Sequence, residues 1–199
     1  LADRPDTPEE RRPEIDAVNA LVYENVNNGV YRAGFASGQA AYEAAYARVF
    51  ETLDILEERL SRQRYLAGER STEADWRVFT TLVRFDAVYY GHFKCNRRRL
   101  IDYPSLWAYA RELYQVPGVA ATVRMDHIKL HYYGSHRAIN PTGIVPKVPE
   151  LDFEGNVETA RVWTDGDSVI VSTQSGPYIP VLAERRDGRW HQHWDAIGY

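Results

Sequence analysis

The chain has little of what stabilises secreted or membrane-spanning proteins. Its 199 residues include one cysteine, Cys95, so no disulfide can form within the chain. No apolar run reaches the ~20 residues that a membrane-spanning helix needs, and nothing resembles a cleavable signal segment. Basic residues are not in excess, since the formal net charge is -4, whereas general nucleic-acid binders usually carry a basic surface. We therefore expect a cytoplasmic protein that binds neither membranes nor nucleic acids.

Motifs for nucleotide and metal chemistry are also scarce. No glycine-rich phosphate loop follows a predicted strand, so nucleotide chemistry is not indicated. Two histidine pairs, His127 with His131 and His191 with His193, are spaced so that each pair can share one face of a helix or strand. A metal site also needs a third ligand and partners that orient the histidines, and the sequence identifies neither. We expect no metal centre.

A helical pattern covers most of the chain. With 44% hydrophobic and 26% charged residues, the composition is that of a globular protein, and one main domain is expected at this length. Apolar residues recur at helical spacing between breaks marked by glycine, proline and asparagine. The predicted helices cover residues 13–26, 37–65, 104–114 and 119–133, with another that begins at Thr72.

Two local signals refine this helical pattern. Thr72 and Asp75 are spaced as a capping box, in which each side chain bonds the backbone of the other residue, and we expect the helix that follows to be buried. Between the first two predicted helices, Asn27, Asn28 and Gly29 interrupt the apolar pattern. We expect these residues to form a turn that presents Tyr31.

The chain changes character after Pro149. Short β-prone runs lie around residues 157–163, 168–173, 178–183 and 190–194, separated by the turn-forming pairs Asp165-Gly166, Gly176-Pro177 and Asp187-Gly188. This pattern predicts an antiparallel meander of three or four strands. We therefore divide the chain into a linker (1–12), a helical domain (13–153) and a β-meander tail of unrecognised type (154–199).

Five short segments of the helical region resemble one family in their order and spacing. They are residues 27–36, 72–76, 82–86, 92–96 and 139–144. Together they are similar to the C-terminal half of the glutathionyl-hydroquinone reductases, the xi-class glutathione transferases. The resemblance implies a mainly α fold, namely a glutathione S-transferase C-terminal-like helical bundle, here with a short C-terminal antiparallel β appendage.

The resemblance also implies a function that this chain cannot perform alone. In that family a thioredoxin-like domain binds glutathione, the co-substrate, and carries a nucleophilic cysteine in a Cys-Pro-aromatic motif, which this sequence lacks. The chain would be the aromatic-substrate-binding half of a homodimeric reductase that converts glutathionyl-hydroquinones to hydroquinones. Because the sequence opens at Leu1 and its only methionine is Met125, we expect that the natural start is not represented. A separate thioredoxin-like domain would have to supply the chemistry.

Two tyrosines are the catalytic residues that the resemblance implies. By their places in the motifs, Tyr31 and Tyr132 correspond to tyrosines that hydrogen-bond the hydroquinone oxygens in the family. A phenol suits this role, because a reference pKa of about 10 keeps it neutral near pH 7 and able to donate and accept. Tyr133 could exchange roles with Tyr132, and Tyr89 and Tyr90 are expected to be core or pocket-wall residues.

Two further interpretations of the sequence are open. Cys95 is a poor replacement nucleophile, because no proline-aromatic sequence follows to place it at a helix start, and we expect a buried packing residue. The helical scaffold could also be a non-catalytic dimerisation or docking module, with the tail offering a sheet edge to a partner.

Overall fold

The chain is built mainly from α-helices. The computed structural model describes residues 8–147 and 151–155, together with the backbone of four strands between residues 161 and 193. No helix in this described part is long and apolar enough to cross a bilayer. The α-helices there are α1 (Arg12–Val22), α2 (Gly29–Gly34), α3 (Gln39–Arg62), α4 (Glu73–Arg84), α5 (Pro104–Tyr114), α6 (Val119–Thr122) and α7 (Met125–Ser135).

Helices α3 and α4 supply much of the hydrophobic core. Val49, Leu53 and Leu56 recur at three- and four-residue spacing on α3 and are buried, as are Val78 and Leu82 on α4. The prediction of helices over 37–65, from Thr72 onward and over 104–114 is confirmed, with the ends of α3 shifted by two or three residues.

The N-terminus of α4 is fixed by a buried carboxylate. The capping box predicted for Thr72 and Asp75 is formed, and the Asp75 carboxylate accepts hydrogen bonds from the Thr72 amide at 2.7 Å, the Leu66 amide at 2.8 Å and the Tyr109 hydroxyl at 2.7 Å. Burial raises the pKa of Asp75, while these hydrogen bonds oppose the rise. One side chain thereby ties α4 to α5 and to the preceding loop.

The predicted turn before Tyr31 is wrong. Helix α1 continues through a π-helical turn, Tyr23–Asn27, into α2, and Tyr31 lies within α2. Tertiary contacts overcome the turn-forming preference of these residues. The Asn27 amide group donates to the Thr81 hydroxyl at 2.6 Å, and a β-carbon on Gly29 would lie only 3.0 Å from Val49, so glycine permits a close helix contact.

The helix predicted over residues 119–133 is divided in two. Helix α6 ends at Thr122 because Val123 is extended, with a ψ of 99°, a conformation that β-branched residues favour. Helix α7 then begins after Arg124, and Asp126 in its first turn suits the positive end of the helix dipole. This division sets the direction of the helix that carries Tyr132.

Four strand segments follow the helices. They are β1 (Arg161–Thr164), β2 (Ser168–Ser172), β3 (Pro180–Arg186) and β4 (Arg189–His193), and neighbouring strands pair antiparallel in the order β1-β2-β3-β4. The register places Val162 opposite Val171, Ile170 opposite Leu182 and Glu184 opposite His191. The turns predicted at Asp165-Gly166, Gly176-Pro177 and Asp187-Gly188 lie outside the described residues.

Candidate functional site

Three tyrosine hydroxyls from distant parts of the chain meet at one place. Tyr31 on α2 and Tyr132 on α7 share a short hydrogen bond between their hydroxyl oxygens, although 101 residues separate them. The Tyr89 hydroxyl lies 2.9 Å from the same Tyr132 oxygen. The structure brings together the two tyrosines chosen from the sequence and adds a third that was expected to be core or pocket wall. We call Tyr31, Tyr132 and Tyr89 the tyrosine chain.

Two π-helical turns place residues of the tyrosine chain. The first, Tyr23–Asn27, precedes α2 and its Tyr31. The second, Phe85–Tyr89, extends α4 and contains Tyr89 itself. Such turns hold one residue more than a regular helical turn and are frequent at functional sites. The sequence carries no pattern that marks them, which is why the part played by Tyr89 was missed.

The tyrosine chain runs from the core to the surface. Tyr89 is 2% exposed, Tyr132 is 6% exposed and Tyr31 is 39% exposed. Burial and then the hydrogen bond to Tyr31 raise the pKa of Tyr132 to about 12, and burial also raises the pKa of Tyr89. Both buried phenols are therefore neutral hydroxyls near pH 7, and the exposed end at Tyr31 is the end that a ligand can reach.

Phe93 forms the apolar support behind these hydroxyls. Its ring centroid lies 5.1 Å from that of Tyr31, 5.4 Å from that of Tyr89 and 5.9 Å from that of Tyr132. The ring fits because Gly34 has no side chain, since a β-carbon there would lie 2.3 Å from two ring atoms of Phe93. Packing of Phe93 on α2 thus orients Tyr31 relative to the other two phenols.

Tyr133 takes no part in the tyrosine chain. Its hydroxyl donates a long hydrogen bond of 3.4 Å to the Ala87 carbonyl and lies beside Gly91. Adjacent residues on a helix point about 100° apart, so the rotation of α7 selects Tyr132. In this structure the two tyrosines do not exchange roles.

A pair of histidines borders the aromatic support. His92 Nε2 lies 3.1 Å from His136 Nδ1, and the His136 ring stacks on Phe93 with centroids 5.9 Å apart. Burial, followed by the neighbouring His136 and Lys94, lowers the pKa of His92 to about 4. Burial also lowers the pKa of His136. The sequence does not reveal this pair, because 44 residues separate its members.

The structure describes the side chains of only one of the two histidine pairs noted in the sequence. His127 and His131 are exposed on α7, and the side chains of His191 and His193 are outside the described part of the structure. Among the described residues, no group of three or more histidine, cysteine, aspartate and glutamate side chains is arranged to hold a metal ion.

Cys95 is a packing residue. It is fully buried, and burial raises the pKa of its thiol to about 12. A nucleophilic cysteine reacts as the thiolate, and this thiol stays protonated near neutral pH. The structure agrees with the expectation that Cys95 is a buried packing residue.

Two surface clefts lie elsewhere on the helices. One, of about 360 Å³, lies between α4 and the segment from Pro117 to Ile128. The other, of about 440 Å³, lies between α2 and α3 and includes Phe35. Neither cleft is lined by Tyr31 or Tyr132. On this chain the tyrosine chain opens directly at the surface.

Comparison with known proteins shows which proteins are similar to this chain. Residues 39–112 match the family model described as the C-terminal domain of glutathione S-transferase. The glutathionyl-hydroquinone reductase PcpF of Sphingobium chlorophenolicum is 57% identical over 148 residues, which is 74% of this chain and 47% of PcpF. Over about three quarters of its length the chain is therefore similar to the C-terminal part of the glutathionyl-hydroquinone reductases, the xi-class glutathione S-transferases. Recognition of this family from the sequence motifs is confirmed.

Solved structures of xi-class transferases share the helical fold. The glutathione-bound structure of YqjG from Escherichia coli K-12 superposes with a TM-score of 0.75 and 50% identity, over 78% of this chain and 50% of YqjG. A xi-class transferase from Natrialba magadii gives a TM-score of 0.74 at 50% identity, over 75% of this chain and 46% of that protein. The chain spans about half the length of the relatives it matches.

Proposed function

We propose that this chain is the aromatic-substrate-binding half of a glutathione-dependent reductase that converts glutathionyl-hydroquinones to hydroquinones. The observation that carries the proposal is the tyrosine chain, in which Tyr31 and Tyr132 share a hydrogen bond and one end is open to solvent. PcpF and YqjG, which are similar to this chain, are named glutathionyl-hydroquinone reductases. Tyr31 and Tyr132 would hydrogen-bond the oxygens of the substrate ring.

Aromatic side chains beside Tyr31 are suited to a substrate ring. Phe35 is 50% exposed, with its ring 5.4 Å from Phe93 and 5.1 Å from His136. A second aromatic ring can stack on such a surface while its oxygens reach a phenol. This arrangement would hold and orient a hydroquinone through ring stacking and phenol hydrogen bonds.

The sulfur chemistry would take place on a thioredoxin-like domain outside these residues. A cysteine thiolate there attacks the substrate sulfur, the bond between that sulfur and the ring carbon breaks, and the ring carbon takes up a proton. This step leaves hydroquinone and a mixed disulfide with glutathione. A second glutathione thiolate then releases the cysteine as thiolate and forms glutathione disulfide. Because Cys95 is buried and protonated, we propose that the chain is inactive alone.

Direct binding tests this proposal. Menadiol, titrated anaerobically into the chain by calorimetry, should bind saturably. Tyr31→Phe should weaken binding by roughly three- to tenfold, since it removes one hydrogen bond. Tyr23→Phe is the matched control, because Tyr23 is an exposed tyrosine of the same helical segment. Absence of binding to the unmodified chain, or an equal effect of both substitutions, would contradict the proposal.

The organisation of the chain is also proposed. We propose a homodimer in the cytoplasm, a linker over residues 1–12, a helical domain over 13–153 and a β appendage over 154–199. Support for the second boundary comes from Phe153, which is buried against Trp107 and Tyr114 with ring centroids 4.9 and 5.0 Å away. Light scattering tests the dimer. A chain shortened after Phe153 should still melt cooperatively, and loss of cooperativity would place the tail within the core.

A further inference from the structure

The second histidine pair of the sequence lies on one face of an edge strand. His191 and His193 belong to β4, and residues two apart on a strand share a face, about 7 Å from each other along the strand. Among the described strands β4 pairs with β3 alone, so both histidines lie at the edge of this sheet. Two histidines do not by themselves fix a zinc ion, which takes three or four protein ligands.

The register of β3 and β4 supplies a third position. Glu184 is paired with His191, and Leu182 is paired with His193. Residues directly opposite share a face with β-carbons roughly 5 Å apart, and the diagonal from Glu184 to His193 spans about 7–8 Å. The three positions therefore form a triangle small enough for one ion, since zinc lies ~2 Å from its nitrogen and oxygen ligands and the side-chain lengths cover the rest.

The residue types on this face suit a zinc site. Two histidines and one glutamate form a ligand set that binds zinc and leaves a position open for water. On the neighbouring strand β2, Ser168 is paired with Glu184 and Ile170 with Leu182. A hydroxyl residue beside Glu184 is of the kind that orients a ligating carboxylate. Sequence spacing does not reveal these neighbours, because the three strands come together only in the fold.

An ion pair is the alternative role for Glu184. Arg186 and Arg189 are paired with each other at the next position on the same face, and either guanidinium could pair with the carboxylate. Surface ion pairs usually contribute little to stability, whereas converging zinc ligands bind strongly enough to stabilise whole folds. A zinc ion would therefore displace the arginine, and an ion pair leaves the placement of the two histidines without a role.

We propose that Glu184, His191 and His193 form a zinc site on the β appendage, with water as a further ligand. The proposal replaces the expectation of no metal centre, which depended on a missing third ligand. Histidine binds zinc when it is unprotonated, so the affinity should fall as the pH drops below about 6.5. The site requires the proposed β appendage but is independent of the tyrosine chain and of the proposed reductase function.

Calorimetric titration of zinc chloride into the metal-free full chain near pH 7 tests the proposal. One zinc ion should bind per chain. Glu184→Gln and His193→Gln should each weaken binding by roughly tenfold or more, because even residues that only orient a ligand contribute that much to metal affinity. Gln192→Ala is the matched control and should bind zinc normally, since Gln192 lies between the two histidines but on the opposite face of β4.

Cobalt(II) gives a second measurement, because a tetrahedral cobalt site absorbs visible light strongly. The unmodified chain should show this absorption and His193→Gln should lose it. Absence of saturable zinc binding, or full affinity in Glu184→Gln, overturns the proposal. So does an equal loss in His127→Gln, which would place the metal on α7.

Menadiol binding separates this proposal from the proposed function. Glu184→Gln should bind menadiol as the unmodified chain does, which also shows that its helical domain is intact. If menadiol binding depends on Tyr31 but zinc does not bind, only the zinc site fails. If zinc binds through Glu184 but menadiol does not bind, only the proposed function fails.

Discussion

The ring of Phe93 lies directly over Gly34, where a β-carbon would come within 2.3 Å of two ring atoms. Gly34→Ala must therefore move Phe93 or α2. We expect a loss of about 1–3 kcal/mol in the free energy of unfolding, the usual cost of overpacking, and weaker menadiol binding because Tyr31 is displaced. Chemical denaturation and calorimetry measure the two effects.

Gly134→Ala is the control for Gly34→Ala. Gly134 also lies in a helix, but a β-carbon there would meet its nearest neighbour, Leu130, at an ordinary 3.6 Å. Since alanine favours helix more than glycine does, this variant should be as stable as the unmodified chain or more so. If both variants lose the same stability, the contact between Phe93 and Gly34 does not hold the site.

Because the Asp75 carboxylate is buried and hydrogen-bonded, we expect its replacement by asparagine to cause a large loss of stability. Asp75→Asn replaces an acceptor oxygen with a donor that faces the Leu66 and Thr72 amides. We expect thermal denaturation to show a loss of roughly 2–4 kcal/mol, from the lost cap and the unsatisfied amides. Asp126→Asn, on an exposed carboxylate at the start of α7, should cost far less. Similar losses in both would contradict the anchoring role of Asp75.

The His92 and His136 pair predicts a pH dependence of stability. The pKa of His92 is lowered from 6.5 to about 4 in the folded chain, so between these values the unfolded chain binds a proton that the folded chain does not. The free energy of unfolding should therefore fall, by on the order of 1–2 kcal/mol, as the pH drops through this interval. Urea denaturation at several pH values measures it.

His92→Gln should flatten that pH dependence, since glutamine does not titrate in this range. His127→Gln, which removes an exposed histidine of α7, is the control, and equal flattening in both variants would contradict the assignment to His92. An unmodified chain whose stability is constant from pH 7 to pH 4 would show that His92 is protonated as readily in the fold as in the unfolded chain.

The side chain of Asn27 joins the first π-helical turn to α4. Its amide nitrogen donates to the Thr81 hydroxyl at 2.6 Å and to the Arg77 carbonyl at 3.1 Å, both on α4. Asn27→Ala removes both bonds and should cost about 1–2 kcal/mol, with weaker ligand binding at Tyr31. The neighbouring variant Asn28→Ala should be milder, because no described hydrogen bond uses the Asn28 side chain. If both variants lost the same stability, the hydrogen bonds of Asn27 to α4 would not be what maintains the π-helical turn.

Much of the fold could be predicted because local signals and tertiary packing agree. The apolar stripe of α3, the capping box of Thr72 and Asp75 and the proline that begins α5 each mark an element that the structure contains. The site pair Tyr31 and Tyr132 came from the family resemblance, since 101 residues separate them. Their place together in the fold is observed, and their catalytic role is a proposal.

The features of the fold and site that could not be predicted depend on contacts between residues far apart in the sequence, which no sequence pattern displays. Asn27 favours a turn by itself, but its bonds to α4 keep the chain helical. Nothing in the sequence decides which of Tyr89 and Tyr90 faces inward, because the answer depends on the extra residue of the second π-helical turn. For the same reason the partnership of His92 with His136 could be found only after the fold had placed them together.

The π-helical turn at Tyr23–Asn27 acts as a one-residue insertion in an otherwise continuous helix. Five residues of a π-helix turn through about the same angle as four residues of an α-helix, each of which advances the rotation by about 100°. Deleting one residue there should therefore close the turn and leave α2 in nearly the same phase, with Tyr31 still facing Tyr132. Ligand recognition on this chain should then survive a single-codon deletion in this turn, whereas the same deletion in a regular part of the helix would rotate Tyr31 away.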